Sequence, residues 1–144
     1  ADAVMALLER VGKEPVLCKK DVPGFIANRM QHALWREAIS IVERGIADAE
    51  TVDKAVRCSF GMRLPRLGPM ENADMVGLDL TYNIHSYILK DLEDSHEPSP
   101  LLKELMEEGK LGFKTGEGFR RWTAGEAAQE RTALNDYLER SLHA

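Results

Sequence analysis

Apolar residues recur at Ile26, Met30, Ala33, Leu34, Ala38, Ile39, Ile41 and Val42. That three-and-four spacing puts one broad face of an α-helix into a core. The helix it predicts starts near Phe25, after the bend that Val22-Pro23-Gly24 imposes. It ends at Glu43-Arg44-Gly45, where arginine suits the negative pole and glycine the left-handed position just beyond. A helix of about 20 residues measures roughly 30 Å, the width of a small domain, so it is expected to act as a central strut.

The same patterning sets out the rest of the chain. Val4, Leu7, Leu8 and Val11 predict the tail of a helix over Ala1 to Arg10, stopped by Gly12. Glu14 to Lys19 has the short, partly β-branched character of a strand. Asp48 is a good N-cap for a helix from Ala49 to Arg57, buried along Val52, Ala55 and Val56. Ser59 to Gly68 reads as an irregular connection. Pro69 and Glu71 open a helical stretch from Met70 to Leu92 that Gly77 breaks in two. Ser99-Pro100 starts a helix ending at Gly109, the glycines of Lys110 to Trp122 demand an irregular path, and Thr123 to Glu126 forms a capping box before a terminal helix reaching about Leu142. Five or six helices and at most one strand are expected. That lone strand needs a sheet to pair with, so a sheet on its N-terminal side is expected, without which Val16 to Lys19 should fray.

Composition narrows the class. The 144 residues are 44% hydrophobic and 30% charged, which fits one soluble globular domain with a real core. The formal charge of -5 argues against a nucleic-acid surface. The basic run Lys54, Arg57, Arg63, Arg66 and the acidic cluster Asp91, Glu93, Asp94, Glu97 are expected to be solvated faces. Cys18 and Cys58 match neither a redox pair nor a zinc spacing and are expected to be free thiols. No apolar run approaches the length of a membrane span and no charged-then-apolar leader is present, so neither membrane nor secretion is predicted and a cytoplasmic location follows by default.

Few residues offer chemistry. Asn28 lies one turn into the strut, where its amide either bonds locally to backbone or points into a cleft and orients a substrate oxygen. His32, His85, His96 and His143 are too scattered for a metal site. His32 shares a face with Asn28, and a surface or helix-pairing role is favoured over that of a base. Arg29 and Arg36 are expected in ion pairs, Arg36 with Glu43 or its neighbours. Thr115-Gly116-Glu117-Gly118 lacks the strand-to-helix setting of a phosphate loop, so no nucleotide is expected there.

The segment Asp21-Val22-Pro23-Gly24-Phe25-Ile26-Ala27-Asn28-Arg29 resembles the motif that opens the C-terminal helical domain of 3-hydroxyacyl-CoA dehydrogenases. Gly68 to Asp79, reading GPMENADMVGLD, is similar to a second motif of that family, and Lys114-Thr115-Gly116-Glu117-Gly118-Phe119 to a third, in the family's order. The resemblance implies an all-α bundle like the C-terminal domain shared with 6-phosphogluconate dehydrogenases. Residues 1–20 would then be a remnant of a Rossmann domain and residues 21–144 a substrate and dimerisation domain. It implies that NAD, the catalytic histidine and the catalytic glutamate belong to an upstream domain, that this chain alone is inactive, and that it forms a homodimer.

By the same resemblance the intact enzyme oxidises a 3-hydroxyacyl-CoA to the 3-ketoacyl-CoA in fatty-acid metabolism, with Asn28 positioning the reacting oxygen. The stretch Phe60 to Leu67 departs from the family's commonest form. Phe60, Met62 and Leu64 either line an acyl pocket or anchor the loop. Arg63 either forks onto a carboxylate, as in relatives that oxidise free hydroxy acids such as carnitine or gulonate dehydrogenases, or makes a structural ion pair. Two alternatives therefore accompany the acyl-CoA expectation: a hydroxy-acid dehydrogenase of the same fold, and a non-catalytic helical dimerisation module.

Overall fold

The computed structural model describes residues 2–142, and among them the regular structure is entirely helical. Seven α-helices run in order: α1 Asp2–Arg10, α2 Ala27–Glu43, α3 Ala49–Arg57, α4 Pro69–Val76, α5 Leu78–Ile88, α6 Pro100–Glu107 and α7 Ala124–Leu142. A single 3-10 turn covers Phe60–Met62. The helices divide by packing into one unit that ends at Trp35 and another that starts at Arg36, so the boundary falls within α2.

Local signals explain most helix ends. Asp48 caps α3 by accepting the Thr51 N–H at 2.7 Å. Glu71 reaches back to the Gly68 N–H at 2.8 Å, and Pro69 occupies the first helical position of α4. Gly77, at φ 107°, separates α4 from α5, a conformation that a side chain would strain. Thr123 and Glu126 form the reciprocal capping box of α7, with Thr123 N–H to Glu126 at 2.8 Å and Glu126 N–H to the Thr123 hydroxyl at 3.2 Å.

Three expectations need correction. Glu14 to Lys19 is not a strand: it runs irregularly, with Val16 78% and Leu17 54% exposed. No neighbouring strand among the described residues offers it ladder partners. The helix count among the described residues is seven rather than five or six, with Gly77 separating α4 from α5 as expected. A real core is also absent from the chain by itself, since Ala127 and Ser40 are the only buried residues among those described. The predicted apolar face is exposed at Ile26, just before α2, and along α2 at Met30 and Leu34, and half-buried at Ala38, Ile39, Ile41 and Val42.

What organises the unit from Arg36 onward is polar tethering of residues 91–101 to the second half of α2. The buried Ser40 hydroxyl donates to Glu93 Oε2 at 3.5 Å, and Glu37 accepts the Glu93 N–H at 2.7 Å. Arg44 pairs with Asp91 at 3.1 Å. Arg36 donates to the Ser95 carbonyl at 3.3 Å rather than to Glu43, and Arg29 turns to the Pro23 carbonyl at 3.5 Å rather than to an acid. Asp91 and Glu93 are thus structural partners of α2, not simply a solvated face.

Candidate functional site

Asn28 is the second residue of α2, and the turn before it controls where its amide goes. Phe25 donates its N–H to the Val22 carbonyl at 3.1 Å, closing a tight turn through Pro23 and Gly24. Gly24 has φ 78° and Phe25 φ 47°, two consecutive left-handed residues. Glycine takes that geometry freely, whereas a bulky side chain is held there at a cost of about 1–2 kcal/mol. The turn folds against the helix start: a Cβ on Gly24 would lie 3.5 Å from Asn28 Cβ and 3.4 Å from Arg29 Cγ. Asn28 itself is exposed, and no described residue hydrogen-bonds its amide. One turn later His32 meets Trp35 edge-on, ring centroids 5.1 Å apart, which engages the imidazole in a helix-surface pair.

Phe60, Met62 and Arg63 come together on one short element after α3. Arg63 N–H donates to Phe60 at 3.1 Å, Leu64 to Gly61 at 3.3 Å, and Arg66 and Leu67 to Arg63 at 2.9 and 2.7 Å, so the connection is a succession of tight turns. Gly61 allows it, because a Cβ there would stand 2.5 Å from the Val56 carbonyl oxygen of α3. Phe60 is 40% and Met62 70% exposed, and the Arg63 guanidinium is exposed with no ion-pair partner among the described residues. Asn28 belongs to the unit ending at Trp35, and Phe60, Met62 and Arg63 belong to the other.

The glycine-rich segment forms an open hollow of about 380 Å³ lined by Thr115, Gly116, Glu117, Arg121, Trp122, Thr123 and Glu126. Glu117 is shared between Lys110 at 3.5 Å and Arg121 at 3.6 Å. Hydrogen bonding to Glu108 raises the Lys110 pKa above its ordinary value, and hydrogen bonds from Thr123 hold the Glu126 carboxyl below its own. A hollow with the carboxyl groups of Glu117 and Glu126 on its wall does not suit a phosphate. Beside it Arg120 lies over the Trp122 ring at 4.6 Å, Trp122 meets Phe113 edge-on at 4.7 Å, and Arg131 caps Phe113 at 5.6 Å. The glycines gave no hint of this stack, which joins Phe113, Arg120, Trp122 and Arg131 across the segment and α7.

Among the described residues no three His, Cys, Asp or Glu side chains converge to hold a metal ion, and His143 lies outside those residues. Cys18 and Cys58 are free thiols. Among the described residues no helix is long and apolar enough to cross a membrane.

This helical arrangement has close counterparts. Residues 24–122 match the model of the 3-hydroxyacyl-CoA dehydrogenase C-terminal domain. The chain is 40% identical over 140 residues to a 5-formyl-3-hydroxy-2-methylpyridine 4-carboxylate 5-dehydrogenase of Mesorhizobium japonicum, covering 92% of this chain and 45% of that one. It is 41% identical over 123 residues to the human mitochondrial hydroxyacyl-coenzyme A dehydrogenase, covering 84% and 38%. In three dimensions it matches the crystal structure of a 5-dehydrogenase of that pyridine carboxylate, described as an NAD+ dependent dismutase, with a TM-score of 0.87 at 36% identity over 98% of this chain and 44% of that one. The chain therefore belongs to the 3-hydroxyacyl-CoA dehydrogenase family through its C-terminal domain, and it spans less than half the length of these relatives.

Proposed function

We propose that this chain is the substrate-positioning and dimerisation half of an NAD-dependent dehydrogenase that oxidises a 3-hydroxyacyl-CoA to the 3-ketoacyl-CoA. The observation that carries the proposal is Asn28: an exposed amide, set by a strained turn at the start of α2, within the segment matched by the family model. Its NH2 group would donate to the substrate's reacting oxygen and hold it in place. That contribution is geometric, and it grows as negative charge builds on that oxygen.

Among the described residues the glycine-rich turn from Thr115 to Gly118 carries Glu117 and precedes no strand-to-helix junction, which does not favour a dinucleotide there. NAD and the acid–base residues are assigned to an upstream domain. The exposed Val4, Leu7, Val11 and Val16 are consistent with a chain continuing against such a domain. A second copy of this chain is the other proposed partner.

Two observations favour an alternative substrate, a free carboxylate. Arg63 is exposed without an ion-pair partner among the described residues, and the Mesorhizobium relative is named for a pyridine carboxylate. A planar guanidinium binds a carboxylate in two parallel hydrogen bonds.

The test is NADH consumption with acetoacetyl-CoA, by this chain alone and by the chain extended through its upstream domain. Turnover by the extended protein only supports the division of labour. Turnover by this chain alone overturns it. Turnover of a hydroxy acid or of the pyridine carboxylate in place of the thioester transfers the proposal to the carboxylate class.

A further inference from the structure

Phe25 is the one non-glycine among the described residues with a positive φ, 47°, and its side chain remains 57% exposed. A glycine would make the same turn without strain, and packing within the chain does not repay the strain, because more than half of the side chain faces solvent. The turn that carries Phe25 folds against the start of α2 near Asn28: a Cβ on Gly24 would lie 3.5 Å from Asn28 Cβ, and the Arg29 guanidinium donates to the Pro23 carbonyl at 3.5 Å. An exposed apolar face beside an exposed amide is the pairing that ligand sites use: apolar walls with a few oriented polar groups.

We infer that the Phe25 ring is the wall against which the substrate's carbon skeleton lies while Asn28 holds its oxygen. The inference rests on the proposed role of Asn28. The strained backbone aims the ring at the substrate, so stability and binding pull in opposite directions at this residue.

The experiment uses the enzyme extended through its upstream domain, with whichever of acetoacetyl-CoA and the pyridine carboxylate it turns over. Phe25→Asn keeps a residue that tolerates the left-handed conformation but removes the ring. Its thermal midpoint is expected to stay or rise while KM rises about tenfold with kcat little changed. Phe25→Leu keeps the strain and much of the apolar surface, and is expected to retain most of the affinity without any gain in midpoint.

A fall in midpoint with KM unchanged in Phe25→Asn overturns the inference and makes the ring an anchor for the upstream domain or a second copy. Loss of turnover in Asn28→Ala, with unaltered KM in Phe25→Asn, overturns the inference and leaves the Asn28 role standing. Full turnover in Asn28→Ala, with raised KM in Phe25→Asn, removes Asn28 and keeps the ring at the substrate. A wild type that turns over neither compound overturns both.

Discussion

Glu43, the last residue of α2, completes the cap that Ser99 begins on α6. The Ser99 hydroxyl donates to Glu43 Oε2 at 2.9 Å and accepts the Leu102 N–H at 3.3 Å, while Glu43 Oε1 takes the Leu101 N–H at 3.2 Å. Pro100 has no N–H to satisfy, so the first donors of α6 are provided for by two residues 56 positions apart in sequence. Removing the carboxylate in Glu43→Ala should lower stability by about 1 kcal/mol, with Glu43→Gln losing less because it keeps an acceptor. Urea unfolding checks this, and an unchanged midpoint in Glu43→Ala would mean that water caps α6 equally well.

Gly61 is the residue on which the candidate loop depends. A methyl group there would meet the Val56 carbonyl oxygen at 2.5 Å and its carbon at 3.2 Å, both backbone atoms that cannot rotate away. Gly61→Ala should therefore cost about 1–3 kcal/mol and displace Phe60, Met62 and Arg63 together. In the extended enzyme it should raise KM for whichever substrate is used. A variant with wild-type melting and kinetics would show that the turn after α3 relaxes freely.

Arg63 separates the two substrate classes. If it forks onto a carboxylate, Arg63→Ala should reduce kcat/KM for the carboxylate substrate about 100-fold, the scale of losing one charged hydrogen-bonded contact of about 1.5–3 kcal/mol, and leave acetoacetyl-CoA turnover within about twofold. Arg63→Lys should recover only part, because a point charge does not reproduce the fork. Equal losses on both substrates would point to a structural role for the loop.

The helix caps predict the response to acid. Hydrogen bonds from Thr51 hold the Asp48 carboxyl below its ordinary pKa, and those from Thr123 do the same to Glu126. A group whose pKa is depressed on folding contributes stability that is present above the ordinary carboxylate value, about 4, and is lost as pH falls through the folded value. Lys110, raised by Glu108, has the opposite sign: its contribution is complete below the ordinary lysine value and disappears as pH rises through the folded one. Thermal melts should be flat near neutrality and fall below about pH 4, and the double variant Asp48→Ala with Glu126→Ala should start lower and lose less on acidification. A parallel acid decline in both proteins would exclude the caps as its source.

Much of the fold was legible because its punctuation is local. Asp48, Pro69, Gly77, Ser99 and the Thr123–Glu126 box each act within one helical turn, and α3, α6 and α7 start where those residues put them. What was not legible depends on distance or on absent neighbours. Whether Glu14 to Lys19 is a strand depends on a sheet outside the segment itself. The Arg36 to Ser95 and Glu43 to Ser99 contacts join residues 59 and 56 positions apart, which no periodicity encodes. Asn28 and Arg63 could be singled out by residue type and motif, but the left-handed backbone of Phe25 has no sequence mark beyond the glycine before it.

The surface that the chain leaves open predicts how it behaves in solution. A compact protein of 16.1 kDa exposes about 7,400 Å², and two separate compact bodies of about 35 and 109 residues about 8,700 Å². This chain exposes 12194 Å², with Leu78 62%, Tyr82 75%, Met70 74%, Leu134 56% and Leu138 47% open. An interdomain contact of about 600–1,500 Å² would leave most of that excess uncovered. The proposed homodimer interface, about 2,000–5,000 Å² counted over both partners, would cover the rest. Folding should then be coupled to association, with a melting midpoint that rises with protein concentration and a dimer in sedimentation at every concentration where helical circular dichroism is intact. Leu134→Asp and Leu138→Asp should lower both the dimer fraction and the helicity. A concentration-independent midpoint with a folded monomer in sedimentation would mean that the helices close on themselves in solution.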